Sequence, residues 1–108
     1  MAEIFSTTAK VPTTNGAKYV QQLCKHWTHN LDVTLEGNSG RVVFPATARG
    51  ANWPGDGVIR MTAEADHILC QIDASAEGQR DGLKGALACH LDRFAFREAP
   101  LTFHWQDA

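Results

Sequence analysis

The sequence contains little that is typical of a membrane protein or a nucleic-acid binder. No apolar run approaches the roughly 18 residues of a membrane-spanning helix. The first residues also lack the basic and apolar regions of a secretory signal. A net charge of −2 does not give the basic excess that nucleic-acid binders usually show. We therefore expect neither a membrane nor a nucleic acid as a partner.

Cysteine is scarce, and motifs of common enzymes are absent. Cys24, Cys70 and Cys89 make an odd count without CxxC spacing, which argues against a disulfide framework. Buried, reduced thiols are the expected state, and they indicate a cytoplasmic protein. The sequence has no GxSxG, no Gly-rich phosphate loop and no HExxH. It therefore names no catalytic residue and no cofactor, and whether the protein is an enzyme stays open, with a non-enzyme favoured.

The most informative stretch runs from Leu83 to Glu98 and predicts an amphipathic helix. Its apolar residues recur at spacings of three and four, so they form one stripe with a histidine in the middle. Ser75 and Asp81 are N-cap candidates, and Pro100 predicts that the helix stops by about Glu98. The stripe consists of Leu83, Ala86, Leu87, His90, Leu91 and Phe94.

The remaining chain predicts a second helix, six strands and one irregular loop. Ala17 to His29 has helical periodicity, and the strands are identified by alternating apolar residues and by turn sequences between them. Residues 45–57 carry no periodic pattern and predict a surface loop that contains Trp53. The predicted strands are Ile4–Val11, Leu31–Glu36, Arg41–Phe44, Val58–Ala63, Ile68–Ala74 and Leu101–Trp105.

The element order β-α-β-β-β-β-α-β predicts an α+β fold. Strands joined by short turns pair antiparallel, and both helices must cover the apolar face of the resulting sheet. We therefore expect a two-layer sandwich, with an antiparallel sheet and two helices on one face. Residues 1–108 have the length of a single domain.

Two separated motifs give the chain a family resemblance. LCKHW, at Leu23 to Trp27, and HLDRFAFRE, at His90 to Glu98, occur in an order that resembles the bacterial family designated "domain of unknown function 2218". TAKVPT, GRVVFP and the closing tryptophan extend the likeness over most of the chain. The resemblance implies no activity. It implies a setting in iron acquisition, because similar domains occur joined to siderophore-interacting flavoproteins in some bacteria.

Histidines provide the first candidate site. His26 and His29 are three residues apart on the predicted first helix, so both could reach one metal ion. His90 could supply a third ligand if the two helices pack side by side. The alternative is that His26 lies at the edge of the apolar stripe and that His90 is a hydrogen-bonded core residue. This second interpretation is favoured, because HxxH spacing on a helix is common.

Arginines and a loop tryptophan provide the second candidate site. Arg93 and Arg97 follow His90 at helical spacing, so they are expected on one side of the helix, where they could bind a small anion. The favoured alternative is a structural role, in which they complement the negative end of the helix dipole or pair with Asp92, Glu98 or a carboxylate of the sheet. Trp53 lies in a Gly/Pro loop and could contact a ligand or a partner protein, or pack back onto the sheet.

Two functional hypotheses follow. The first is a non-catalytic binding or accessory module, linked to iron or siderophore handling, that contacts a small anionic ligand or a siderophore-related protein. Its expected ligand-binding residues are His26, His90, Arg93, Arg97 and Trp53. The second is a metal-dependent or redox enzyme that uses His26, His29 and His90. The oligomeric state does not follow from any residue pattern.

Overall fold

Two helices and six strands follow one another in the computed structural model, which describes residues 4–47 and 50–107. Their order is β-α-β-β-β-β-α-β, so the predicted α+β order is confirmed. The elements are β1 (Phe5–Pro12), α1 (Gly16–Trp27), β2 (Asp32–Glu36), β3 (Ser39–Phe44), β4 (Gly57–Ala63), β5 (His67–Ala74), α2 (Glu77–Phe94) and β6 (Gln106–Asp107).

The strands form one antiparallel sheet in the order β2-β3-β4-β5-β1-β6. Side chains of successive strand residues point to opposite faces, so alternate residues share one face. In β5, Ile68, Cys70 and Ile72 are fully buried, whereas Gln71 between them is exposed. One face of the sheet is therefore apolar, as the alternating pattern predicts.

Both helices cover this apolar face. α1 packs on β2, β3 and β4, α2 packs on β5, β1 and β4, and the two helices contact each other. Leu23 from α1 and Leu87 and Leu91 from α2 are fully buried in a single core. Gly40 in β3 lets α1 approach the sheet closely, because a Cβ at this position would lie 2.4 Å from Cys24 Sγ.

The predicted limits of α2 require correction. The helix begins at Glu77, and Ala76 rather than Ser75 or Asp81 occupies the N-cap position. Buried Leu83, on the first turns, packs against the sheet, and this packing outweighs the cost of the glycines there. The helix ends at Phe94 and not near Glu98, because the chain leaves helical geometry at Ala95.

The predicted last strand is also corrected. β6 comprises Gln106–Asp107, which pair with Thr8 and Thr7 of β1. Residues 101–105 are irregular, and their alternating apolar pattern reflects packing onto the core rather than strand pairing. Leu101 is buried, and the rings of Phe103 and Trp105 stack at 5.8 Å.

The burial of the cysteines agrees with expectation at two of the three positions. Cys24 and Cys70 are buried as predicted, but Cys89 is exposed because it lies on the solvent side of α2. The predicted loop of residues 45–57 includes positions 48 and 49, which lie outside the described residues. In the part of the chain that the structure describes, neither helix has the length and apolar composition needed to cross a bilayer.

Candidate ligand-binding pocket

A cavity of about 480 Å³ lies between α1, α2, the end of β3 and the loop that carries Trp53. Five aromatic rings contribute to its wall. His26 and Trp27 come from α1, His90 from α2, Phe44 from β3, and Trp53 from the loop. We refer to this cavity as the aromatic pocket. Its volume lies within the range of small-molecule sites in proteins.

The two predicted site histidines face each other in this pocket. The ring centroids of His26 and His90 are 5.7 Å apart, so the two helices pack side by side and bring the LCKHW and HLDRF segments together. His90 also lies 5.2 Å from the ring of the buried Trp27, which in turn meets Phe44 edge to face at 5.2 Å. His26, His90, Trp27 and Phe44 therefore form one connected group of aromatic contacts on this wall.

His90 has a defined tautomer when its ring is neutral. Its Nδ1 lies 2.7 Å from the backbone oxygen of Ala86, one turn earlier in α2. A carbonyl oxygen only accepts hydrogen bonds, so Nδ1 must carry the proton and donate. The lone pair of the neutral imidazole is then on Nε2.

A network of hydrogen bonds fixes the Trp53 loop to the start of α2. Gly55 N donates to Ser75 Oγ at 3.0 Å, and Gln79 Nε2 donates to Gly55 O at 3.0 Å. Gln79 Oε1 accepts from Ser75 N at 2.7 Å. The ring of Trp53 lies over Gly78, where a Cβ would be 3.1 Å from its Cη2 atom. Trp53 is thus held against α2, and it is half-buried rather than fully exposed.

The aromatic pocket has little charge. Among residues 4–47 and 50–107, no aspartate, glutamate, lysine or arginine lines it. Besides the histidines and the indole N–H donors of Trp27 and Trp53, its polar side chains are Asn30, which is exposed, and Gln79, whose amide atoms are occupied by Gly55 and Ser75. The arrangement suits a neutral, planar ligand better than a strongly charged one, because a buried ion without a partner is costly.

His90, Arg93 and Arg97 do not form one helical stripe, because α2 includes His90 and Arg93 but ends before Arg97. α2 ends at Phe94, so Arg97 lies in the turn that follows, and both arginines are exposed. Neither lines the aromatic pocket. Arg97 borders a separate depression beside Tyr19, with its guanidinium carbon 5.7 Å from the Phe96 ring centroid.

Glu98 has a structural role instead of pairing with the arginines. Its Oε1 accepts from Thr13 Oγ1 at 2.8 Å, and its Oε2 accepts from Asn15 Nδ2 at 3.1 Å and from the Tyr19 hydroxyl. These hydrogen bonds, the one from Tyr19 first, lower the pKa of the Glu98 carboxyl. The same bond raises the pKa of Tyr19. We call these four residues the Glu98 cluster; it joins the chain after α2 to the start of α1.

His29 is not brought together with His26 and His90. α1 ends at Trp27, and Thr28 N donates to Cys24 O at the helix end, so His29 falls in the turn beyond. Within the described ranges, no three His, Cys, Asp or Glu side chains are grouped closely enough to hold a metal ion.

Sequence reasoning missed several pocket residues. The sequence pattern predicts only a strand at Phe44, and no pattern marks Asn30 or Gln79. Their role in the pocket depends on tertiary contacts, which a local pattern does not contain. Gly82 had one available signal: a glycine inside a helix lowers helix stability, and it often has a packing or functional reason. In the structure Gly82 lines the aromatic pocket.

The fold and pocket define a small α+β domain with one aromatic cavity between helices and loop. A family model described as "Uncharacterized protein conserved in bacteria (DUF2218)" matches residues 8–106. The chain therefore belongs to this family, and the resemblance noted from its motifs is confirmed.

A solved structure is similar over nearly the whole chain. The NMR structure of PA4090 from Pseudomonas aeruginosa is 30% identical in sequence, with a TM-score of 0.73. The similarity covers 94% of this chain and 95% of that chain. No curated protein matches the sequence.

Proposed function

We propose that this protein is a non-catalytic binding or accessory module that holds a small, planar, largely apolar molecule in the aromatic pocket. The observation that carries this proposal is a cavity of about 480 Å³ whose wall is aromatic and, in the described chain, without carboxylate, lysine or arginine. Aromatic faces favour flat ligands by stacked or edge contacts. The histidines and Asn30 add hydrogen-bonding groups that orient a ligand.

Binding accounts for the site better than catalysis does. A nucleophile needs a neighbouring base within hydrogen-bond reach. His90 Nε2 could act as a base, but within the described residues no serine, threonine, cysteine, lysine or carboxylate lines the pocket beside it. The alternative of a metal-dependent or redox enzyme relied on His26, His29 and His90 together. The proposal favours binding over that alternative because, in the described part of the chain, no three His, Cys, Asp or Glu side chains are grouped closely enough to hold a metal ion.

The proposed role in iron or siderophore handling rests on the family resemblance. Catechol rings are planar and aromatic, so the aromatic pocket suits them, and binding of catechol or dihydroxybenzoate would support this role. Arg93 and Arg97 lie outside the pocket. We therefore propose that the aromatic ring of the ligand, rather than an anionic group, occupies the pocket. The cytoplasmic location and the lack of nucleic-acid partners expected from composition stay proposals.

Two helix glycines provide a matched test. Gly82 lines the pocket and Gly85 does not. Both are exposed, and a Cβ at either position has no heavy atom within 4 Å. Replacing either glycine should not weaken the helix, because glycine costs roughly 0.5–1 kcal/mol relative to alanine in a helix. Only Gly82→Leu should place new volume in the pocket.

The measurement is calorimetric titration with naphthol, catechol and dihydroxybenzoate. We expect single-site naphthol binding to the unmodified protein, at least about tenfold weaker binding to Gly82→Leu, and unchanged binding to Gly85→Leu. Equal effects of the two substitutions would place the ligand elsewhere. Failure of all three compounds to bind would contradict the proposed function.

A further inference from the structure

We infer that the aromatic pocket selects ligands that carry a hydroxyl group, and that this hydroxyl donates a hydrogen bond to His90 Nε2. The ligand class is therefore that of phenols, naphthols and catechols rather than ethers or hydrocarbons of the same shape. This inference rests on the proposed function and adds the polar contact that determines specificity.

The direction of the hydrogen bond follows from the backbone. Because Ala86 O lies 2.7 Å from Nδ1 and can only accept, the neutral ring keeps its lone pair on Nε2. The ring is also held in place by Trp27 and His26, with centroids 5.2 and 5.7 Å away. Because the position of the ring and its tautomer are both fixed, Nε2 favours a ligand group that donates a hydrogen bond. It disfavours a ligand group that can only accept one.

Nε2 is available to a ligand. Within residues 4–47 and 50–107, Thr7 Oγ1 is the only fully buried side-chain N or O atom that lacks a hydrogen-bond partner. His90 Nε2 has no protein partner in the same ranges, so it must be accessible, and His90 lines the pocket. A ligand without a donor would cover this acceptor and leave it unsatisfied.

The other polar groups of the pocket do not replace this contact. Gln79 Oε1 accepts from Ser75 N and Gln79 Nε2 donates to Gly55 O, so its amide is engaged. His26 and Asn30 are exposed at the rim, where water competes for their hydrogen bonds. His90 is the half-buried acceptor of the wall, so it should dominate discrimination between a hydroxyl and its methyl ether.

The test compares naphthol with methoxynaphthalene and naphthalene on the complete chain. Loss of a donor facing a covered acceptor weakens binding by about ten- to hundredfold. We therefore expect naphthol to bind the unmodified protein at least about tenfold more tightly than either analogue. His90→Phe keeps an aromatic ring but removes the acceptor, and it should bind all three compounds with similar affinity.

A spectroscopic readout separates specificity from general loss of structure. In long-range proton–nitrogen spectra of the neutral ring, the His90 Nε2 resonance should shift on addition of naphthol but not of methoxynaphthalene. Equal affinities of naphthol and methoxynaphthalene for the unmodified protein would overturn this inference and leave the proposed function intact. Binding of none of the three would overturn both. The comparison on the unmodified protein needs no variant, so it holds even if His90→Phe does not fold.

Discussion

The aromatic pocket and the Glu98 cluster both place polar side chains between α1 and the C-terminal part of the chain, but their hydrogen-bonding states differ. In the Glu98 cluster, three side-chain donors converge on one carboxylate. In the pocket, His90 Nε2 is accessible and has no partner in the described chain. Polar groups that satisfy one another stabilise the fold, whereas a held but unsatisfied group is available to a ligand.

Gln79 both lines the aromatic pocket and forms hydrogen bonds that hold the fold together. Its replacement should therefore have the largest effect, on stability and on ligand binding. Gln79→Met removes the acceptor for Ser75 N and one of the two donors to Gly55 O, which keeps its hydrogen bond from Ser75 Oγ. Leaving Ser75 N unsatisfied should cost about 1–3 kcal/mol. Loss of the Gly55 contact should also loosen the Trp53 loop and weaken naphthol binding. Urea unfolding and calorimetric titration measure the two effects. Gln22→Met, at an exposed helix position, is the control, and equal behaviour of the two variants would refute the role of Gln79.

Glu98→Gln should affect stability alone. A glutamine has one acceptor oxygen where the carboxylate has two, so one or more of the donors from Thr13, Asn15 and Tyr19 loses its partner. We expect a decrease of about 1–2 kcal/mol in the free energy of unfolding, and naphthol affinity should stay within about twofold. Glu64→Gln, in the exposed turn after β4, is the control for loss of charge. A large drop in naphthol affinity would show that the two sites are coupled.

Lowering the pH should reduce the stability that the Glu98 cluster contributes. The pKa of Glu98 is lowered in the folded protein from its ordinary value of 4.5, so its contribution to stability is present above that value and is lost as pH falls through the folded pKa. Between about pH 5 and pH 3, the unmodified protein should therefore lose more stability than Glu98→Gln. Asp107, whose pKa is lowered chiefly by a hydrogen bond from Lys84, retains part of the pH dependence in the variant. Urea midpoints across this range test the difference, and parallel curves would count against it.

The arginines should give the smallest effect. Arg93→Ala and Arg97→Ala change exposed side chains outside the pocket, so each should alter stability by less than about 0.5 kcal/mol. Naphthol affinity should be unchanged. A tenfold or greater loss of naphthol affinity in either variant would instead support the ligand-binding role that the sequence predicts for these arginines.

The sequence predicted the fold well because its information is local and periodic. Alternation in β5 and helical spacing around Leu87 give the strand and helix faces directly, and the match of residues 8–106 to the family confirms the resemblance. Whether His26 and His90 meet does not follow from the sequence, because it depends on how closely the two helices pack; in the structure their ring centroids are 5.7 Å apart.

What the sequence could not give depends on contacts between distant residues. The end of α2 at Phe94 and the involvement of Glu98 with Thr13, Asn15 and Tyr19 become apparent only when the segment after α2 meets α1. That helix end separates Arg97 from His90. The position of Trp53 likewise depends on hydrogen bonds between Gly55 and the start of α2.

Isotope-filtered nuclear Overhauser spectra of the protein with bound naphthol test the central claim most directly. We predict contacts from naphthol protons to the rings of Trp27, Trp53 and His90, and none to Phe96. Contacts to Phe96 and Arg97, without any to Trp27 or His90, would contradict the assignment of the aromatic pocket as the binding site.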